Sequence, residues 1–392
     1  MSNLASEIVY LDNHSTTVCD RRVIEAMIPF FATDYANPSN GLHVLGRRAA
    51  GAVESAREQV AALIGARPEE IAFTSGATES NNLAMLGLTS RALGVRRRIM
   101  VSPIEHKSVL DAGKHLATLG YEIAFLPVDG KGTVDVQAAA NLIDDATLLV
   151  SVQTANNEIG TIQPIAEIAA IAHARGAVVH SDAAQAVGKI GLDVTKLGVD
   201  LLSISGHKLY GPKGVGALYV RGGATTKKLA PLFHGGDQER GLRPGTLNVP
   251  GIVGLGQACA LCATEMIDEA ARVSRLRDDL EKNLLAAMPQ VRRNGNLTNR
   301  LPGNSSLTFP GVEADALLMN VPELALSTGS ACTSGAPDPS HVLTAIGLPR
   351  DLALSTVRVG LGRFNSESDV RTAVSLLSQA YERLRNEDLL RA

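Results

Sequence analysis

The chain has 392 residues, with 37 Lys and Arg against 40 Asp and Glu, a net charge of -3 and 45% hydrophobic residues. At about 150 residues per domain this is one large domain plus a smaller one, or two to three, with ample core and no need of cross-links. The balanced charge gives no electrostatic ground for a nucleic-acid or membrane partner, and seven Phe, six Tyr and no Trp offer no base-stacking platform.

The first residues, MSNLASEIVYLD, lack a basic segment followed by an apolar one, so no secretory signal is read there. A helix is expected over Arg47–Ile64. Strands follow at Ile71–Thr74, Ile99–Ser102, Glu122–Pro127, Leu148–Gln153, Ala177–Ser181, Leu201–Ser205 and Gly216–Val220, with helices Val109–Leu119, Val136–Ile143 and Pro164–Arg175 between several of them. Arg96, Arg97 and Arg98 form the only basic run and read as a solvated turn before a strand. Strand–helix alternation argues for an α/β fold with a mainly parallel seven-stranded sheet covered on both faces, whose ligands bind beyond the carboxyl ends of the strands. The Gly- and Pro-rich segments Tyr210–Gly216 and Phe233–Pro250 read as functional loops. From Gly251 to Met288 an Ala- and Leu-rich helix carries the chain into a smaller C-terminal domain. Cys259 and Cys262 within it lack the second half of a zinc site and read as small apolar residues on a buried face, so no metal is expected. Four cysteines make no disulfide framework, and no run of ~18 apolar residues occurs. The expected setting is the reducing cytoplasm.

Four stretches carry chemistry. In IAFTSGATESNNLAM a strand ends at Thr74, Ser75-Gly76 turns, and a helix opens at Ala77 and Thr78, where free N–H groups favour an anion. A plain capped turn accounts for the same residues. In AVVHSDAAQAVGK an apolar strand delivers Asp182 to its carboxyl end, with Gln185 three residues on; a helix cap is the alternative for a lone Asp. In DLLSISGHKLYGPKG another buried strand delivers Ser205, His207 and Lys208 to a Gly-rich turn, where a partly desolvated amine of lowered pKa suits carbonyl chemistry. Together these fit pyridoxal phosphate: a phosphate cup from Thr78, Ser205 and His207, an acid for the pyridine nitrogen in Asp182, and an amine for the aldehyde in Lys208. The fourth stretch, ALSTGSACTSGAPDPSHVL, places Cys332 among small loop residues, where incidental placement and a reactive thiol are both open.

With TSGATESNN, SGHKLYGPKG, GGDQERGLRPGT and TGSACTS in this order, the chain resembles the cysteine desulfurases of the NifS/IscS kind, group I, within the class V branch of fold-type-I pyridoxal phosphate enzymes. The resemblance runs from YLDNHSTT to VRVGLGRF. It implies fold type I, with a large cofactor-binding domain over 16–262 and a small α+β domain from 1–15 and 263–392. It implies conversion of L-cysteine to L-alanine, with sulfur held as a persulfide on Cys332 for a sulfur-acceptor protein serving iron–sulfur cluster or other sulfur-containing products. Lys208 matches the cofactor lysine that also moves the Cα proton. His106 matches the histidine stacked on the pyridine ring, which also takes part in proton transfer. Asp182 matches the partner of the ring nitrogen and Gln185 that of the phenolic oxygen. Ala77, Thr78, Ser205 and His207 match the phosphate site, and Asn157 and Arg358 the groups holding the substrate carboxylate. Thr246 matches the residue that reaches the partner subunit's phosphate, which implies a homodimer with shared sites. A selenocysteine lyase, or a desulfurase dedicated to DNA phosphorothioation, would share nearly every motif. A transaminase or a simple eliminating lyase would leave Cys332 idle, and a non-catalytic dimeric scaffold would have no use for Lys208, Asp182 and Cys332. Two departures stand out. Gln153-Thr154-Ala155 replaces Met-His-Ala/Val, so a different pocket wall is expected. The chain also stops at LRNEDLLRA, short of the tail by which housekeeping members help dock an iron–sulfur scaffold.

Overall fold

The computed structural model describes residues 8–91, 96–223, 226, 229–328 and 338–391, the side chains of 387–391 excepted. In chain order the strands are β1 Val9–Tyr10, β2 Ile71–Thr74, β3 Arg98–Val101, β4 Glu122–Phe125, β5 Thr147–Ser151, β6 Val178–Asp182, β7 Leu201–Ser205, β8 Gly216–Val220, β9 Arg292–Asn294, β10 Asn304–Thr308, β11 Leu324–Ala325 and β12 Thr356–Gly360. Seven of them form the large sheet, ordered β2-β8-β7-β6-β5-β3-β4. Only β8 runs against its neighbours. Side chains alternate between the two faces of a strand, and the sheet sorts them accordingly. Leu201, Leu218 and Val220 pack with the helices Ala77–Arg91 and Lys107–Thr118, whereas Leu202, Ala217 and Tyr219 pack with Val44–Ile64, Ile165–Ala174 and the start of Val249–Ala287. Burial on both faces explains why β5, β7 and β8 have no exposed residue.

A second core gathers around the antiparallel sheet β12-β10-β9 and the short parallel pair β1-β11. The 39-residue helix Val249–Ala287 spans both cores, with Cys259 and Cys262 in the first and Val273, Leu276, Leu280 and Leu284 in the second. By length and mean hydropathy it could cross a bilayer, but its apolar residues are shared out between two protein cores. Several element ends differ from expectation by one to three residues, and two of them have a clear local reason. The helix expected from Arg47 starts at Val44, because His43 Nδ1 accepts the N–H of Gly46 and caps it. Strand β4 stops at Phe125, two residues before Pro127, which has no N–H to donate.

The pairing register builds the site's floor. Thr74, Gly216 and Ser205 lie abreast across β2, β8 and β7. A Cβ on Gly216 would sit 2.6 Å from Gly76 Cα and 2.3 Å from Ile204 O, so only glycine lets the β2 turn close down on β8. Close by, Arg57 pairs bidentately with Glu239, both distances 2.8 Å, and Glu239 also takes the N–H of Phe73 at 2.7 Å. Both side chains are buried, and Glu239 and Arg240 hold left-handed φ angles of 47° and 56°. This pair pins the loop that leads to Thr246. Removing one partner of a buried pair strands the other charge. Arg57→Met should therefore cost about 3–5 kcal/mol in denaturant unfolding, and Arg57→Met with Glu239→Met should recover most of it. A loss below about 1 kcal/mol for the single variant would show that the pair is not the anchor.

Candidate active site

Every parallel strand of the large sheet points its carboxyl end to one edge, and the expected residues assemble there. Asp182 ends β6, Ser205 ends β7, and His207 and Lys208 follow directly in a 3-10 turn. Ala77 and Thr78 open the helix after β2, and His106 caps the helix after β3. Asn157 lies in the loop after β5, and Arg358 reaches across from β12 to donate to the Asn157 carbonyl at 3.1 Å.

Lys208 is held by a segment far away in sequence. Its Nζ donates to the carbonyls of His14 at 2.7 Å and Ser15 at 2.6 Å. The amine is largely withdrawn from water, and that desolvation with nearby Arg358 pulls it down to about 8, against the opposing pull of Asp12 and Asp182. The turn behind it is strained: Tyr210 has φ 65°, held by the Thr17 hydroxyl on its N–H and by Arg363 stacked 4.3 Å from its ring. Lys213, the nearest other amine in the motif, is exposed.

Asp182 accepts from the N–H of Ala184 at 2.9 Å and from Asn81 Nδ2 at 2.7 Å. The local turn bond that a lone Asp would make is present, and a second, long-range partner is added. Gln185 is clamped. Its Oε1 lies 3.0 Å from both Lys189 Nζ and His14 Nδ1, and its Nε2 donates to the His14 carbonyl at 2.8 Å. The His14 carbonyl can only accept, so the amide has one orientation, its Oε1 faces the imidazole and His14 carries its proton on Nδ1. Burial and the charges of Lys189, Arg358 and Lys208 hold His14 well below its ordinary value. His207 is likewise lowered, to about 4, by burial and by Lys208, Lys213 and Lys189, and it contacts Thr16 Oγ1 at 3.0 Å.

These residues fit pyridoxal phosphate. The amides of Ala77 and Thr78 and the hydroxyls of Thr78 and Ser205 make no hydrogen bond as donors among the described residues, and Gly76 faces open space. That is a set of free donors for a phosphate at a helix N-terminus. A carboxylate and a half-desolvated amine lie on the same edge. Arg358 is nearly fully buried, with Nη2 on Asp12 at 2.8 Å and on Ser15, while its Nε has no partner among the described residues. It is thus both a structural ion pair and a donor with an N–H to spare.

Among the described residues, one expected residue is not brought to this edge. Thr246 is exposed on its own loop, tied back by Arg243 on Glu79 at 3.0 Å. Cys332 lies outside the described residues. Others at the site were not picked out from sequence: Asp12, His14 and Ser15 in YLDNHSTT, Asn81 in TESNN, and Lys189. The only sequence signal for Asn81 is its spacing of three from Thr78, which puts both on one helix face. At the altered wall, Gln153 Nε2 donates to the Ile104 carbonyl, and its N–H donates to Glu105 at 2.7 Å. The substitution thus braces the segment leading into His106. Burial, with a contribution from Asp182, keeps the Glu105 carboxyl well above its ordinary value.

The family model described as Aminotransferase class-V matches residues 9–372. A relative named Cysteine desulfurase IscS, from Anaeromyxobacter dehalogenans (strain 2CP-C), is 48% identical over 96% of this chain and 93% of its own. A solved structure described as a NifS-like protein superposes with TM-score 0.88 at 38% identity, covering 96% of this chain and 99% of that one. Another, SspA in complex with cysteine, gives TM-score 0.81 at 38% identity over 91% and 99% of the two chains. Such similarity over nearly the full length, on a sheet edge already furnished with the matching motifs, means that the chain belongs to the cysteine desulfurases of the aminotransferase class-V family.

Proposed function

We propose that the protein is a pyridoxal-phosphate-dependent cysteine desulfurase, converting L-cysteine to L-alanine and leaving the sulfur as a persulfide on Cys332. The observation that carries this reading is Lys208, a largely desolvated amine brought to about 8 at the strand end that also presents Ser205 and His207. The cofactor, when bound, supplies an electron sink for the Cα–H bond of the amino acid. Ala77, Thr78, Ser205 and His207 would hold its phosphate, Asp182 its ring nitrogen and Gln185 its phenolic oxygen.

The chain's own groups then divide the work. Arg358 and Asn157 hold the substrate carboxylate. Lys208, neutral for a sizeable fraction of the time near pH 8, takes the Cα proton. His106 handles a proton on the other side. The Cys332 thiolate attacks the substrate sulfur: an S–S bond forms, the substrate's Cβ–S bond breaks, and the carbon takes up a proton to give alanine. The persulfide then passes to an acceptor protein. The naming of the relatives favours this reading over a selenocysteine lyase or a desulfurase dedicated to DNA. A homodimer is part of the proposal. Thr246 would reach the partner's phosphate, and a second copy would cover the exposed Ile28, Phe31, Tyr35 and Leu42. A reducing cytoplasmic setting suits the free Cys19, Cys259 and Cys262.

Only the unprotonated amine of Lys208 can capture pyridoxal phosphate, so uptake by the cofactor-free protein should rise with pH and level off above about 8. Asp12 holds that amine up, so Asp12→Asn should move the midpoint down. A midpoint near 10 in wild type, read from absorbance, would count against the desolvated-amine assignment.

Lys208→Ala should bind no cofactor covalently and form no alanine, since Lys213 points to solvent. Cys332→Ser should bind L-cysteine but accumulate neither alanine nor persulfide, because a serine hydroxyl is a poor nucleophile toward sulfur at neutral pH. Wild type treated with cysteine and alkylated should carry one added sulfur on the Cys332 peptide in mass spectrometry, with none on the buried Cys259 and Cys262. If Cys332→Ser releases alanine and sulfide at the wild-type rate, the reaction is a lyase reaction instead.

A further inference from the structure

A hydrogen-bonded chain links two residues of the site that approach it from different strands. Asn81 Nδ2 donates to Asp182 Oδ2 at 2.7 Å and also lies 2.8 Å from Ser108 Oγ. Ser108 Oγ in turn lies 2.8 Å from His106 Nδ1. Each link has one direction. The carboxylate oxygen accepts, so Asn81 must turn its NH2 toward it and not its carbonyl. The second N–H of that NH2 donates to Ser108 Oγ, which leaves the hydroxyl proton aimed at His106 Nδ1. The backbone N–H of Ser108 donates to the same Nδ1 at 3.2 Å, as the first bond of the helix Lys107–Thr118.

Two donors on Nδ1 leave it a bare acceptor, so the ring proton of neutral His106 resides on Nε2. Asn81 maintains this at a cost. Its side chain is fully buried, and its Oδ1 has no partner among the described residues. A buried carbonyl left unsatisfied is unfavourable, and the flipped amide would be worse, setting its oxygen against the Asp182 carboxylate, which can only accept. The two donor bonds are therefore what the site retains.

We infer that Asn81 and Ser108 are positioning residues that set the tautomer of His106 from Asp182, so that His106 presents Nε2–H to the reacting groups. The use made of that proton rests on the desulfurase reading; the tautomer itself is a property of the chain with or without cofactor.

The test is nitrogen NMR of protein labelled at histidine, with the His106 signals assigned from His106→Gln, with and without pyridoxal phosphate. Wild type should show Nδ1 unprotonated and Nε2 protonated. Ser108→Asp puts a carboxylate in the first helical turn, where it is tolerated, and should draw the proton onto Nδ1. Turnover should then fall about 100-fold with the bound cofactor retained, the scale of a lost general acid or base. Ser108→Thr keeps hydroxyl and N–H and should keep the wild-type nitrogen pattern. Asn81→Ala should lower kcat about tenfold with KM little changed. Should Ser108→Asp fail to fold, Ser108→Ala serves, with loss of the hydroxyl donor expected to mix the two tautomers. A proton on Nδ1 in wild type, or full turnover in Ser108→Asp, would overturn the inference. Wild type that takes up no pyridoxal phosphate yet keeps Nε2–H would sink the desulfurase reading and leave the tautomer control standing.

Discussion

The contact on which the site depends is the seat of Lys208 on the carbonyls of His14 and Ser15. Residues almost two hundred positions apart meet there, and the meeting is reinforced on each side. Thr17 donates its N–H to the His207 carbonyl, Tyr210 donates its N–H to the Thr17 hydroxyl, and Asp20 donates its N–H to the Tyr210 carbonyl. Residues 12–20 are thereby zipped along the lysine turn. Because that segment covers the amine, water is kept from it, and the amine loses much of its preference for the charged state.

The same segment is gripped from the small core. Arg358 on β12 holds Asp12 and Ser15, while Gly360 donates to the Leu11 carbonyl and accepts from Asn13. Arg358 thus has two consequences at once. It lowers the lysine by charge and fixes the backbone that seats it. A residue that resembles a substrate-carboxylate ligand is also the strut between the two cores, so its replacement would disturb the basicity of Lys208 as well as substrate binding.

A second set of contacts governs the opposite rim. Gly76 closes onto Gly216, and the turn they form carries the free amides of Ala77 and Thr78. Glu79 ties this turn, through the Ser75 N–H at 2.8 Å and Arg243 at 3.0 Å, to the loop that carries Thr246. The rim that would bind phosphate in one protomer is therefore mechanically continuous with the loop proposed to reach the other. Rigid placement of this kind is what a site built on strand ends can supply and a free loop cannot.

Much of this was legible in the sequence because it is encoded locally. Mostly apolar runs of four to six residues marked the strands, since most of them are buried on both faces, while β4 at the sheet edge keeps Glu122 and Phe125 exposed. Asp182, Ser205, His207 and Lys208 could be placed because they directly follow such runs. Gly76 could be read from the sequence as a turn residue, and its φ of 148° is one that side chains rarely adopt, whereas the need for glycine at 216 shows only where a Cβ would strike Gly76 and Ile204. What only the tertiary structure decided are the partners brought in from afar. Nothing near His14 and Ser15 signals that their carbonyls seat an amine, since every residue has a carbonyl and the pairing is set by packing. Asn81 could have been any helical amide until Asp182 at the end of β6 and Ser108 on the helix Lys107–Thr118 met it. Gln153 behind His106 and His14 on Gln185 belong to the same class. Their roles come from long-range geometry and from burial that changes their chemistry, and neither is written in the residues beside them.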